Sequence, residues 1–146
     1  MGCVGLKHLA AGAAALLVST AAPAVANCER PAPIHFARGT ASAELSGGLA
    51  RGERNCFTIS ARGGQRMTVT QTNRGEDNVV LQIYRPSWKI VPSSEGPRFN
   101  GSALEGAEEG RDAHNWAGQL PTTGSYLLVI GTSRGGAEYL MRVEVR

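Results

Sequence analysis

Short stretches in which apolar and polar side chains alternate run through most of the chain, separated by glycine-rich breaks. An alternation of period two places every second residue on one face of a strand. Residues 55–61 set Phe57, Ile59 and Ala61 on one face and Cys56, Thr58 and Ser60 on the other. Residues 66–72 set Met67, Val69 and Gln71 against Arg66, Thr68 and Thr70. Gly63-Gly64 between them supplies the positive φ that a tight turn needs, so the pair is expected to form a hairpin.

The same reading predicts strands over 34–38, over 40–49 with Ala41, Ala43 and Leu45 on one face, and over 79–84, where Pro86 ends the run. Residues 116–120 read as a further strand, and 126–130 are nearly all apolar, as a central strand would be. The last strand, 137–145, points Tyr139, Met141, Val143 and Val145 inward and Glu138, Arg142 and Glu144 outward. Residues 73–77 read as a turn. Residues 92–113 are rich in Gly, Ser, Glu and Pro without a period, and read as a long exposed excursion with a tight turn at Asn100-Gly101. Eight or nine short strands at regular spacing, with hardly a helical window, predict an all-β antiparallel sandwich.

The first 26 residues do not share this pattern. Lys7 is their only charged residue, an apolar run covers 9–18, and Ala24-Val25-Ala26 forms a small-x-small site. A basic start, an apolar run too short to span a bilayer and such a site together describe a secretory signal peptide, cut before Asn27. Residues 27–146 then form the one domain, in a periplasmic or secreted protein. An uncleaved anchor is the plain alternative. Lipidation at Cys28 would tie the protein to a membrane, but Asn27 stands where a small residue is wanted. Export leaves Cys28 and Cys56 as an even pair, which reads as one disulfide; two free thiols are the alternative, and no CxxC or partner-His spacing supports a metal. Without Lys7 the 15 basic residues become 14, against 12 acidic ones, for a net charge of +2 with no block of one sign. Nucleic acid is therefore not an expected partner.

Four segments together bear a resemblance. Residues 56–69 (CFTISARGGQRMTV) are similar to the strand-GQ-strand core of the bacterial pre-peptidase C-terminal domain. Residues 80–84 (VLQIY) resemble its apolar strand ending near Tyr, 116–129 (WAGQLPTTGSYLLV) its W-x-G-x-L-P-x-x-G-x-Y segment, and 137–143 (AEYLMRV) its closing strand. The resemblance implies a jelly-roll-like β-sandwich. Among free-standing exported proteins of this length, the chain also resembles the periplasmic inhibitors of g-type lysozyme, in the GQxMxV and LPxxGxY runs and in Ser133-Arg134-Gly135-Gly136-Ala137. Here the loop before the last strand is short and carries Arg134 alone, where that family has a longer loop with more than one Arg. The resemblance implies a binding protein that occludes an enzyme cleft, with Arg134, Ser133 and Tyr84 at the contact.

The candidate chemistry is sparse. Gly131-Thr132-Ser133-Arg134-Gly135 fits the G-x-S-x-G elbow, but that motif needs a helix after it and a His downstream, and the last His is His114. A turn is expected instead, and no enzyme constellation stands behind the chain. Glu105, Glu108, Glu109 and Asp112, with His114 beside them, form the one acidic cluster and a weak candidate for Ca²⁺, although they lack the D-x-D-x-D-G spacing. His35 reads as an ordinary strand residue. Trp116 reads as packing, whereas Trp88 could stack on a sugar. Arg134 suits a carboxylate partner because its planar fork stays charged and pairs bidentately. The expected partner is a protein such as g-type lysozyme, or else cell-wall glycan, with no cofactor.

Overall fold

The computed structural model describes residues 27–72 and 77–146. The expected signal peptide and most of the 73–77 turn lie outside the described residues. Among the described residues ten strands form: β1 (Ala32–Pro33), β2 (Ser42–Leu49), β3 (Asn55–Ala61), β4 (Arg66–Gln71), β5 (Val79–Tyr84), β6 (Lys89–Val91), β7 (Arg98–Asn100), β8 (Trp116–Gln119), β9 (Gly124–Thr132) and β10 (Ala137–Val145). One sheet has the order β1-β3-β9-β5, the other β2-β10-β4-β8, and β6-β7 form a separate hairpin. All pairings are antiparallel except the short β1–β3 contact. The sandwich is the predicted class.

The inward faces are those the alternation predicts. Phe57, Ile59, Leu81, Ile83, Leu128 and Ile130 of the first sheet meet Leu45, Met67, Val69, Tyr139, Met141 and Val143 of the second. The β9 strand is buried on both faces, because Leu127 and Val129 join a second cluster with Cys28, Cys56 and Tyr84. That double burial accounts for its unbroken apolar run. Cys28 and Cys56 are disulfide-bonded, pinning the segment before β1 to β3.

Three expectations are corrected. The β3 and β4 strands do not form a hairpin, since β3 pairs with β1 and β9 while β4 pairs with β10 and β8. The turn at Gly63-Gly64, with Gly64 at φ 89°, hands the chain from one sheet to the other. Their apolar faces therefore oppose each other across the core instead of lying side by side, and alternation is the same in either arrangement. The strand expected over 34–38 does not form. Ala32–Pro33 pairs with β3 at the sheet edge, where a missing N–H is tolerated, and Ile34 N–H adds one bond to the Thr58 carbonyl (2.7 Å), while Ile34 and Phe36 pack on the core.

The excursion over 92–113 is not simply exposed. Its first part is the β6–β7 hairpin, whose turn lies at Ser93–Gly96, closed by the Gly96 N–H on the Ser93 carbonyl (3.1 Å). Asn100 is instead paired with Lys89. Beyond it Leu104 and Ala107 are core residues, 3% and 0% exposed. Leu104 N–H donates to the Ile83 carbonyl (2.8 Å), Ile83 N–H to Ala107 (3.1 Å) and Leu81 N–H to Ala113 (2.7 Å). Irregular chain thus covers the β5 edge, which would otherwise present open backbone groups.

Candidate functional site

The ladders bring several loops to one end of the sandwich. Thr132 at the end of β9 faces Val79 at the start of β5, Asn55 of β3 faces Ile130, and Ala137 of β10 faces Leu49 of β2. The β9–β10 turn therefore emerges beside the start of β5 and the β2–β3 loop. The turn is tightly bonded. Thr132 Oγ1 donates to the Gly135 carbonyl (2.8 Å), and Gly135 sits at φ 59°. Asn78 Nδ2 donates to the carbonyls of Arg134 (2.8 Å) and Gly136 (3.1 Å), and Ser133 N–H donates to the Asn78 carbonyl (2.8 Å). Gly136 is required for this approach, since a Cβ there would stand 2.8 Å from the Leu49 carbonyl oxygen.

The turn holds Arg134 outward. Its Nη2 donates to both oxygens of Asp77, at 2.8 and 3.0 Å, with the two side chains 72% and 78% exposed. An ion pair so exposed is worth only about 0–1 kcal/mol, so the guanidinium can exchange Asp77 for another carboxylate at small cost. The backbone frame is ordered while the charge it carries is loosely held.

Of the other expected contact residues, Ser133 shares this turn, while Tyr84 and Trp88 lie elsewhere. Ser133 is exposed on the same turn. Tyr84 is 4% exposed, its hydroxyl donates to Gln82 Oε1 (3.1 Å), and its ring packs 5.7 Å from that of Phe99. Burial, and then the nearby Glu109 charge, push its phenol above the ordinary tyrosine range, with Arg54 pulling the other way. It supports the β6–β7 hairpin and does not share the exposed surface of Arg134. Trp88 is half-buried, with its indole N–H donated to the Ser125 carbonyl (2.9 Å). It lines a groove of about 780 Å³, together with Pro31, Ile90, Pro97, Gly48 and Arg54. Sequence reasoning passed over Arg54, which donates to the Pro97 carbonyl (3.2 Å) and stacks 5.4 Å from the Phe99 centroid, tying the hairpin to the β2–β3 loop. It also passed over Asp77 and Asn78. Only the chain reversal that brings residues 55–58 positions apart into contact reveals them.

The acidic cluster is not drawn together. Among the described residues no three His, Cys, Asp or Glu side chains converge to hold a metal, Glu105, Glu108, Glu109 and Asp112 included. Glu108 instead closes its own turn. Its Oε2 accepts from Gly106 N–H (2.9 Å) and lies 3.4 Å from Arg111 Nε. A hydrogen bond from its own backbone N–H, joined by that of Gly106 and by Arg111 alongside, holds its carboxyl below the usual range against the opposing effect of desolvation. The Gly131-to-Gly135 run passes straight from β9 into β10, so the strand-turn-helix geometry of a nucleophile elbow is absent there. Trp116 packs on the core as expected and donates its N–H to the Glu105 carbonyl (2.9 Å), and His35 is exposed.

No protein-family model matches the sequence, and no curated protein matches it. Solved structures do. A protein of Aeromonas hydrophila, described as PliG, a periplasmic lysozyme inhibitor of g-type lysozyme, aligns at 24% identity with a TM-score of 0.60, over 80% of this chain and 96% of that one. The PliG of Salmonella Typhimurium aligns at 20% identity and 0.53, over 80% and 98%. A mutant of the Escherichia coli PliG aligns at 16% and 0.54, over 80% and 97%. At these identities the likeness is one of fold.

Proposed function

We propose that this chain is an exported, non-catalytic binding protein that inhibits a g-type lysozyme by placing the β9–β10 turn in the enzyme's cleft. The observation that carries the reading is the bonded turn that offers an exposed guanidinium whose ion-pair partner, among the described residues, is Asp77. A cleft that cuts a polysaccharide with carboxyl groups presents acceptors to such a fork, and in a closed interface the pairing is desolvated and stronger than at the surface. The shared fold with the PliG proteins supports the choice of partner, and the leader supports export to the periplasm. The single Arg limits the affinity such a short turn can supply.

The test is a titration of the purified protein into lysis assays with g-type, c-type and i-type lysozymes. Selective inhibition of the g-type enzyme is expected. Arg134→Ala should weaken it at least about thirtyfold, as truncating one partner of a buried charge pair costs roughly 2–5 kcal/mol. Asp77→Ala should change it less than about fivefold, because the pair it breaks is exposed. Inhibition unaffected by Arg134→Ala removes the role given to this turn. No inhibition of any lysozyme would turn attention to the Trp88 groove and to cell-wall glycan.

A further inference from the structure

Among the described residues the β2 strand is an edge of its sheet, paired with β10 alone. Which of its backbone groups are used follows from one bond. Val145 N–H donates to the Ala41 carbonyl (2.9 Å), and the register then pairs Ala43 with Val143, Leu45 with Met141, Gly47 with Tyr139 and Leu49 with Ala137. Hydrogen-bonded and non-bonded pairs alternate along an antiparallel ladder, so the odd-numbered residues of β2 bond to β10. The other side of β10 agrees. Thr72 N–H donates to the Leu140 carbonyl (2.8 Å), which directs the even-numbered residues of β10 to β4.

It follows that Ser42, Glu44, Ser46 and Gly48 aim their N–H and C=O groups away from the sheet. Among the described residues the one contact to these backbone groups is the Thr40 hydroxyl on the Ser42 carbonyl (3.4 Å). Their side chains also lie on the outer face and are small, apart from Glu44. The β5 edge is covered by the 103–113 segment, β1 has two residues and β8 four, so β2 is the longest bare edge among the described residues. A bare edge normally carries protection such as Lys, Pro or a bulge. This one has a single charge, Glu44, and among the described residues that carboxylate has no ion pair; the facing Arg142 donates to Ser42 Oγ instead (2.8 Å). At its far end Gly48 forms part of the wall of the 780 Å³ groove lined by Pro31, Trp88, Ile90 and Pro97.

We propose that the β2 edge binds an extended segment of a partner protein as an added antiparallel strand, with Lys or Arg opposite Glu44 and an apolar residue five positions earlier directed toward the groove. The open backbone groups supply affinity without regard to sequence, and the two side chains supply selectivity. The spacing follows from the pleat. The residue facing Gly48 lies four before the cation, and one further step, at about 3.4 Å, turns the side chain to the opposite face, toward the first sheet. A second copy of this chain fits less well. Pairing all four bare residues with their mates sets the two Glu44 carboxylates diagonally across the dyad, a like-charge contact.

The probe is the acetylated, amidated peptide FTVTVKVT, with FTVTVEVT as its control, titrated into the ¹⁵N-labelled protein and followed by amide hydrogen exchange. In the free protein the amides of Ser42, Glu44, Ser46 and Gly48 should exchange at least about a hundredfold faster than those of Ala43, Leu45, Gly47 and Leu49, and the first peptide should slow those four. Ser46→Pro removes an outward N–H but no ladder bond, so it should keep the odd-numbered amides protected while weakening peptide binding at least about tenfold. Glu44→Lys should reverse the preference between the two peptides. Equal binding by Ser46→Pro, no saturable binding of FTVTVKVT below about millimolar, or protected even-numbered amides in the free protein at any dilution would overturn the proposal. Protection that grows with protein concentration and needs no peptide would overturn it in favour of a second copy.

Discussion

Replacing both Cys28 and Cys56 by alanine removes a cross-link between residues 28 apart in sequence. In the chain-entropy relation such a loop restricts the unfolded chain by about 12 cal/mol/K, or roughly 3.6 kcal/mol at 25 °C. The site adds to this. Cys56 is 0% exposed and packs with Tyr84, Leu127 and Val129, so losing the sulfur atoms forfeits up to about 1 kcal/mol of burial. A loss of about 4 kcal/mol is a large part of the 5–15 kcal/mol typical of a domain. Urea unfolding should show it as a fall in midpoint of about 2 M, for a slope near 2 kcal/mol/M. Thermal unfolding should fall by roughly 15 °C, from about 2.1 cal/mol/K of unfolding entropy per residue. The slope should stay equal or rise, because the unlinked chain exposes more surface when unfolded. A loss below about 1 kcal/mol would refute the reasoning. It would mean that the segment around Cys28 detaches from β3 on its own, so that the bond closes no loop of the cooperative unit.

Leu104→Ala should cost about 2–5 kcal/mol in the same urea experiment, as for a core leucine; a cost under about 0.5 kcal/mol would restore the exposed excursion. Gly47→Ala should destabilise by roughly 1–3 kcal/mol, since its Cβ would stand 2.7 Å from Tyr139 Oη and displace the hydroxyl that accepts from Asn55 Nδ2 (2.8 Å). Pairing it with Tyr139→Phe should recover part of that loss, and a fully additive double mutant would contradict the clash. Burial raises the phenols of both Tyr84 and Tyr139 above their ordinary value, so between that value and the raised one the folded protein keeps protons that the unfolded chain has released. Their contribution is complete below about pH 10 and falls as pH rises beyond it. Urea midpoints from pH 8 to 11 should therefore drop more steeply for the wild type than for Tyr84→Phe, and parallel curves would exclude the effect for that residue.

What could be read from the chain and what could not differ by kind of contact. Alternation is a local property, because successive strand side chains point to opposite faces, and it was enough to place Phe57, Ile59, Met67, Val69 and the inward set of β10 in the core. The unbroken apolar run of β9 likewise marked a strand covered on both sides. Two cysteines left after the expected export leader were enough to predict the pairing that the structure shows. The choice of neighbour was not legible, since a strand has the same pattern whether its sequence neighbour lies beside it or across the core. That is why Gly63-Gly64 became a crossover and not a hairpin. The excursion misled for a related reason: Leu104 and Ala107 are isolated apolar residues without a period, and they are buried because the β5 edge needs covering. At the candidate site, the sequence singled out Arg134, but Asp77 and Asn78 reach its turn only through the fold. Tyr84 looked equally available and is sealed under Phe99. The bare β2 edge depends on tertiary structure most completely, because hydrogen-bond parity exists only once the register with β10 is set. Sequence by itself determined which side chains of the alternating strands avoid water; the tertiary structure decided which isolated apolar residues join them, and which backbone groups and charges stay exposed.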